Sequence, residues 1–358
     1  MKYALVFHLG AGYHSLRKQQ QYLDLCQSII ELFKYNSTHA DSIFSLASIL
    51  ISALEDSPLT NAAFGSNLTE KGTVECEASA MENASLRFAF LACLSRVKNP
   101  GAAVIRLLHE QIENPISNIG RIYPAFLAGI GAEEFLTDEL GIELIKSCDL
   151  LHESSVKYFN HYHKAILNEI EPNSDSEIFK PGEKRRRNDT IGLILASSDG
   201  QIISICSSGG IALKRQGRIG HSCVHGSGVW AEADVGVVTS GTGEQISRTL
   251  FAKCLSQRIL RNQSNESLIE ELISESIRED FIESPSLANE NCKRYIGCVG
   301  VNLNRSLGVI ELFCAHTTVS MAYGLCIADG KGSFTTNSDI SRKDKSKEFT
   351  ISTTSMRF

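Results

Sequence analysis

Asn188-Asp189-Thr190-Ile191-Gly192-Leu193-Ile194-Leu195-Ala196 is the stretch on which the reading of this chain turns. Before it, from about Leu151 to Asp189, the sequence is polar. It carries His-Tyr-His at 161–163, a run of Glu, Asp and Ser, and the basic cluster Lys184, Arg185, Arg186, Arg187. No apolar period survives there, so the segment is expected to be a mobile surface linker. At Thr190 the pattern switches. Ile191 to Ala196 and Gln201 to Cys206 are β-rich runs joined by Ser197-Ser198-Asp199-Gly200, and Asp-Gly between two such runs predicts a hairpin. Thr190 therefore stands where a flexible segment ends and a buried strand begins.

Working outward, Tyr3 to Phe7 reads as a strand ending in a glycine turn at His8-Leu9-Gly10-Ala11-Gly12. Apolar positions between Leu16 and Leu54 recur at helical spacing and predict two helices. Pro58 to Gly72 reads as a loop. Ala78 to Val97 has the Ala, Leu and Phe content of a buried helix, stopped by Lys98-Asn99-Pro100-Gly101. Ala102 to Glu113, Ala132 to Lys146, Gln245 to Leu260 and Ser267 to Ile277 read as further helices. Tyr295 to Val301 and Leu307 to Cys314 read as a strand pair, and the polar tail from Asp329 is expected to fray.

Composition narrows the function. The chain has 358 residues, 42% hydrophobic and 21% charged, which is ordinary for a globular protein. With 35 Lys and Arg against 41 Asp and Glu the net charge is −6, which argues against wrapping nucleic acid over a broad face. Eleven cysteines occur without a C-x-x-C pair or zinc-like spacing, and are expected to be reduced and mostly buried; no metal site or cofactor is expected. No stretch approaches the ~18 apolar residues of a membrane helix, and the N-terminal apolar run is too short for a signal peptide. A soluble intracellular protein is the expectation.

Small-residue turns cluster after Thr190: Ser207-Ser208-Gly209-Gly210, Gly217-Arg218-Ile219-Gly220-His221, Gly226-Ser227-Gly228 and Thr239-Ser240-Gly241-Thr242-Gly243-Glu244. Upstream, Glu55 to Leu68 is a similar loop. Glycines let backbone approach a ligand and Ser or Thr supply donors.

Together with HLGAGYHS at 8–15 and His316-Thr317-Thr318, these segments resemble the type 2 asparaginase family of N-terminal nucleophile hydrolases, and within it the threonine aspartases (taspases). The likeness runs from about residue 3 to about 328, apart from the linker and tail. It implies an α+β fold, a four-layer αββα sandwich, made as an inactive precursor. Self-cleavage between Asp189 and Thr190 would give an α subunit, 1–189, and a β subunit, 190–358, that form one catalytic domain. An internal Thr hydroxyl is a weak nucleophile, whereas a freed α-amino group of pKa ~8 puts a base on the same residue.

The resemblance also implies roles. Thr190 is the nucleophile, Ser208 faces it, and Asn61 holds a water or the oxyanion. Ser240 and Gly241 line the oxyanion and substrate site, and Arg218 grips a substrate carboxylate. Ala63 stands where the family usually has Gly. His221 stands where asparaginase-like members typically carry an Asp that meets a substrate ammonium; taspases carry a neutral residue there. The implied activity is a threonine protease cutting protein substrates, nuclear regulators among them, after Asp. The alternatives are an asparaginase or isoaspartyl dipeptidase of the same family, and a catalytically inactive nuclear binding module. A dimer of αβ units is implied by the same likeness. Lys184 to Arg187 reads either as a solvated cluster or as a nuclear import signal for an import receptor, giving a nuclear and cytoplasmic protein.

Overall fold

The computed structural model describes residues 3–116, 120–167, 190–263, 268–328 and 332–357. In chain order the strands are β1 (Tyr3–Gly12), β2 (Cys76–Glu82), β3 (Phe88–Leu94), β4 (Phe126–Ala128), β5 (Ile191–Ser197) and β6 (Ile202–Ser208). Then follow β7 (Val229–Glu232), β8 (Val235–Gly241), β9 (Ile296–Asn304), β10 (Val309–His316), β11 (Ser320–Ala328), β12 (Phe334–Arg342) and β13 (Thr350–Arg357). They form an eight-stranded sheet in the order β12-β11-β1-β5-β6-β2-β3-β4 and a five-stranded sheet in the order β13-β10-β9-β8-β7. Neighbours are antiparallel except β3 and β4.

The helices are α1 (Gln19–Asn36), α2 (Ile43–Glu55), α3 (Pro100–Glu113), α4 (Gly129–Asp138), α5 (Glu153–Leu167), α6 (Gly243–Thr249), α7 (Phe251–Asn262) and α8 (Ile269–Glu275). Alternation along the central strands builds the layers. On β1, Leu5, Phe7 and Leu9 face a core shared with α1, α2 and α3, while Ala4 and Val6 face the other sheet. On β5, Ile191, Leu193 and Leu195 join the first core and Ile194 and Ala196 the second. The second core continues through Val237, Val299 and Phe313 to Phe251, Leu255 and Phe281 on the far helices. Strands buried on both faces read as unbroken apolar runs, which is how β1 and β5 look in the sequence. The result is α+β in four layers, αββα, as expected.

The hairpin at Asp199-Gly200 forms, with Ile191 opposite Ser207 and Ala196 opposite Ile202. The two helices between Leu16 and Leu54 are present as α1 and α2, the second opened by a reciprocal Ser42–Ser45 capping box.

Several expectations are corrected. Ala78 to Val97 is not a helix but strands β2 and β3, turned by the Glu82 carboxylate, which accepts from the Ala84 and Ser85 amides. Its alanines suit a strand pressed between a helix layer and a second sheet, so burial overrides helix propensity. Strand β1 does not stop at His8; it runs to Gly12 through an irregularity between His8 and Ala11. The helix read over Ala132 to Lys146 ends at Asp138, ahead of Gly141 at φ +66°. The helix read from Gln245 to Leu260 breaks at Leu250, which is left-handed with φ +50°. The helix read over Ser267 to Ile277 starts at Ile269 and passes into a π-helical turn, Ser276–Ile282.

The segment read as a linker begins with α5. Phe159 and Val156 pack against the buried Leu68 and Val74, and Ser155 Oγ donates to the Gly65 carbonyl at 3.3 Å. The remainder, including Lys184 to Arg187 and Asp189, lies outside the described residues. The tail does not fray, because β12 pairs with β11 and β13 with β10. All eleven cysteines are free thiols; Cys148 and Cys292 are exposed and seven are buried. No described helix is long and apolar enough to cross a membrane.

Candidate active site

Thr190 is buried at the head of β5, and the β5–β6 register carries it alongside Ser208. The two side-chain oxygens lie 3.0 Å apart. Ser208 Oγ also accepts from the Gly210 amide at 3.0 Å, which leaves its own proton free for the threonine oxygen. Gly210 adopts φ +74°, a conformation that suits glycine.

The Gly210 carbonyl is clamped from the upstream loop by Asn61 Nδ2 at 2.8 Å and Asn67 Nδ2 at 2.9 Å. Asn61 Oδ1 in turn accepts from the Asn67 amide at 2.7 Å, and the Gly209 amide donates to the Asn61 carbonyl at 2.8 Å. The loop after α2 therefore fixes the turn after β6, and that turn fixes Ser208. Ala63 holds φ +45° within this loop, so the backbone keeps a glycine-like conformation with an alanine in place.

A small cleft opens over these groups, lined by Thr190, Ser208, Asn61, Arg218, His221 and Gly241 together with Glu77, Gly210, Ile211 and Gly243. Six of the expected residues thus converge on one opening. Ser240 is turned away: its hydroxyl accepts from the Ala11 amide at 2.9 Å and ties β8 to β1, leaving Gly241 at the cleft. Asp189 is outside the described residues.

Arg218 reaches the cleft with Nε and Nη2 held by Glu244 Oε1 at 3.0 and 2.7 Å. Burial opposes ionisation of Glu244, but the hydrogen bond and charge of Arg218 outweigh it and leave the carboxyl below its usual pKa. His221 is buried, and its Nε2 lies 3.2 Å from the Thr239 carbonyl. Burial lowers its pKa to about 4, with Arg218 helping and Glu77 and the carbonyl opposing, so the ring is neutral at pH 7 and donates from Nε2.

Three carboxylates carry parts of the site that sequence reasoning missed. Glu77 on β2 is the cross-strand partner of Ser208. Its Oε2 accepts from the Gly220 amide at 2.7 Å and its Oε1 from the Ser222 hydroxyl, so it holds the turn that follows Arg218. Glu55 at the end of α2 accepts from Ser207 Oγ at 2.6 Å and from the Gly101 amide at 2.7 Å, and burial raises its pKa to about 8. Glu244 was in view within the Thr239–Glu244 turn, but its partner is 26 residues away. For Glu77 the available signal was a charge beside the run of small and apolar residues Ala78 to Met81.

The profile of the Asparaginase_2 family, described as asparaginase, matches residues 1–282. A probable isoaspartyl peptidase/L-asparaginase 2 of Arabidopsis thaliana is 28% identical over 270 residues, covering 71% of this chain and 79% of that protein. A plant-type L-asparaginase of Thermococcus kodakarensis is 27% identical over 273 residues, covering 76% and 84%. The isoaspartyl peptidase of Escherichia coli is 28% identical over 259 residues, covering 70% and 75%. These relatives carry the names of isoaspartyl peptidases and asparaginases, not of threonine aspartases. With its fold and a profile match over most of its length, the chain belongs to the Asparaginase_2 family and is a hydrolase of the N-terminal nucleophile class.

Proposed function

We propose that this hydrolase is made as a precursor, cuts itself between Asp189 and Thr190, and then hydrolyses peptide bonds after aspartate in protein substrates. The observation that carries the reading is Thr190 Oγ1 placed 3.0 Å from Ser208 Oγ in the cleft that Arg218 enters. In self-cleavage the Thr190 oxygen adds to the Asp189 carbonyl carbon and the C–N bond breaks, leaving an ester and a free amine on Thr190. Water then hydrolyses the ester to a carboxylate at Asp189 and restores the hydroxyl. Holding the groups in one fold supplies the effective concentration for this step. In trans the freed amine takes the hydroxyl proton, the threonine oxygen forms the acyl-enzyme, the leaving amine departs protonated, and water completes the cycle. Fixed donors around Gly241 and Asn61 would meet the oxyanion.

Position 221 supports the choice of bond. An asparagine or isoaspartyl substrate offers an ammonium on the carbon that bears the carboxylate held by Arg218. For an ordinary peptide bond after Asp, the carboxylate is the side chain and the nitrogen has become an amide. No positive charge is then present, and a neutral His221 suits it better than an acid. The carboxylates near His221 are already engaged, Glu77 with Gly220 and Ser222 and Glu244 with Arg218.

The second reading, an asparaginase or isoaspartyl peptidase, is favoured by the names of the relatives. One preparation separates the two. Intact mass should show two fragments with Thr190 as a new N-terminus, and a single chain for Thr190→Ala; fragments in that variant would overturn self-cleavage. The mature protein should then cut peptides after Asp and release negligible ammonia from asparagine. Turnover of asparagine or an isoaspartyl dipeptide without any cut after Asp would reverse the choice. Nuclear import through Lys184 to Arg187 belongs to the first reading, and a tagged protein with these four replaced by Ala should lose its nuclear share.

A further inference from the structure

Arg218 is held in an unusual way for a residue that must grip a ligand. One carboxylate oxygen, Oε1 of Glu244, accepts from both Nε and Nη2. A guanidinium has five N–H bonds. Those two contacts consume the Nε–H and one Nη2–H, and leave the end formed by Nη1 and the second Nη2–H. Around that end the chain carries no side chains at three successive approaches. A Cβ at Gly220 would lie 2.6 Å from Nη1, one at Gly210 3.2 Å from Nη1, and one at Gly243 2.8 Å from Nη2. The Arg218 side chain is 16% exposed whereas that of Glu244 is 58% exposed, so the carboxylate reaches in from the rim.

We propose that Glu244 is a positioning residue that sets specificity: it closes the side of Arg218 and presents only its outer end, in a glycine-lined space, to one substrate carboxylate. This rests on the reading of Arg218 as the carboxylate-binding residue. Two consequences follow from the charge and from the fixed angle. The negative charge beside the guanidinium weakens the pull on an incoming carboxylate. The locked fork admits a carboxylate at one distance from the scissile carbonyl, so Asp is accepted and Glu, one methylene longer, is not.

The two effects separate by substitution. Glu244→Gln keeps an oxygen for Nε and Nη2 but removes the charge. Glu244→Ala removes both. The mature enzyme is assayed on a peptide with Asp before the cut and its Glu twin, or on an isoaspartyl dipeptide if that is the substrate turned over. Glu244→Gln should lower KM about tenfold, from Coulomb energy at ~5 Å in a half-exposed site, with the Asp-over-Glu preference kept. Glu244→Ala should lose at least tenfold of that preference. Self-cleavage needs no bimolecular binding, so the two fragments on a gel report that a variant has folded. If Glu244→Ala does not cleave itself, Glu244→Gln decides alone: an unchanged KM overturns the proposal. Both variants within twofold of wild type in KM and preference also overturn it. A wild type whose KM is indifferent to Arg218→Ala instead defeats the reading of Arg218 itself.

Discussion

At Thr190 and Ser208 two hydroxyls face each other at 3.0 Å, and in the proposed mechanism the base comes from the amide nitrogen of Thr190 once cleavage has made it an amine. The imidazoles nearby do not substitute for it. His8 accepts from the Gly10 amide at 3.1 Å through Nδ1, and burial lowers its pKa to about 3. His221 is neutral and donates to a carbonyl. The proposed reading gives residue 221 an electrostatic role, which can be tested as such. His221→Asp would place an acid beside Glu77 and Glu244, and should cut cleavage after Asp at least tenfold while raising turnover of asparagine or an isoaspartyl dipeptide. Parallel losses on both substrates, with self-cleavage intact, would remove the specificity argument. Ser208, Asn61, Arg218 and Gly241 stood out in the sequence because each sits in a turn rich in small residues, and Thr190 because it stands where a polar segment gives way to a β-rich run. Glu77, Glu55 and Glu244 were not, because their significance lies in partners 143, 152 and 26 residues away in sequence.

Among the elements, β6 is the one on which the site depends, since its Ser207 binds Glu55 and its Ser208 binds Thr190. Its neighbours were read unequally. The hairpin with β5 was plain from Asp199-Gly200, whereas β2, its other neighbour, was hidden in an alanine-rich stretch whose periodicity a buried helix shares. The tail shows the same limit from the polar side. Edge strands carry few apolar residues, so β12 and β13 look like loop in sequence although each pairs along a whole neighbour. Side chains reinforce the docking: His316 Nε2 lies 2.9 Å from Ser341 Oγ, and Arg342 donates to the His14 carbonyl at 3.3 Å. A chain ending at Ala328 would expose the edges of β10 and β11 in both sheets. It should aggregate on size-exclusion chromatography, and amides of 334–342 should be protected from hydrogen exchange in the full chain. A monodisperse, active truncated protein would mean that the tail contributes little.

Over the whole molecule, buried titratable groups set opposite limbs of the stability curve. Burial holds His8 and His14 down to about 3 and His221 and His316 to about 4. An unfolded imidazole takes up its proton near pH 6.5. Each of these therefore contributes stability that is present above pH 6.5 and is lost as pH falls toward 4 and then 3. Glu55 acts the other way. Its pKa is raised from 4.5 to about 8, chiefly by burial and against the hydrogen bonds from Ser207 and Gly101. The unfolded carboxyl ionises first, so stability is greatest below pH 4.5 and falls until about pH 8, by ~1.4 kcal/mol per pH unit at most. Glu55→Gln cannot ionise and keeps an oxygen for Ser207 and Gly101. Its melting temperature relative to wild type should rise steadily between pH 5 and 8, while both proteins share the same loss below pH 6.5. A difference between the two that does not change with pH would show that Glu55 is ionised in the folded protein, with a cation or water near its unpaired Oε2 that offsets the burial.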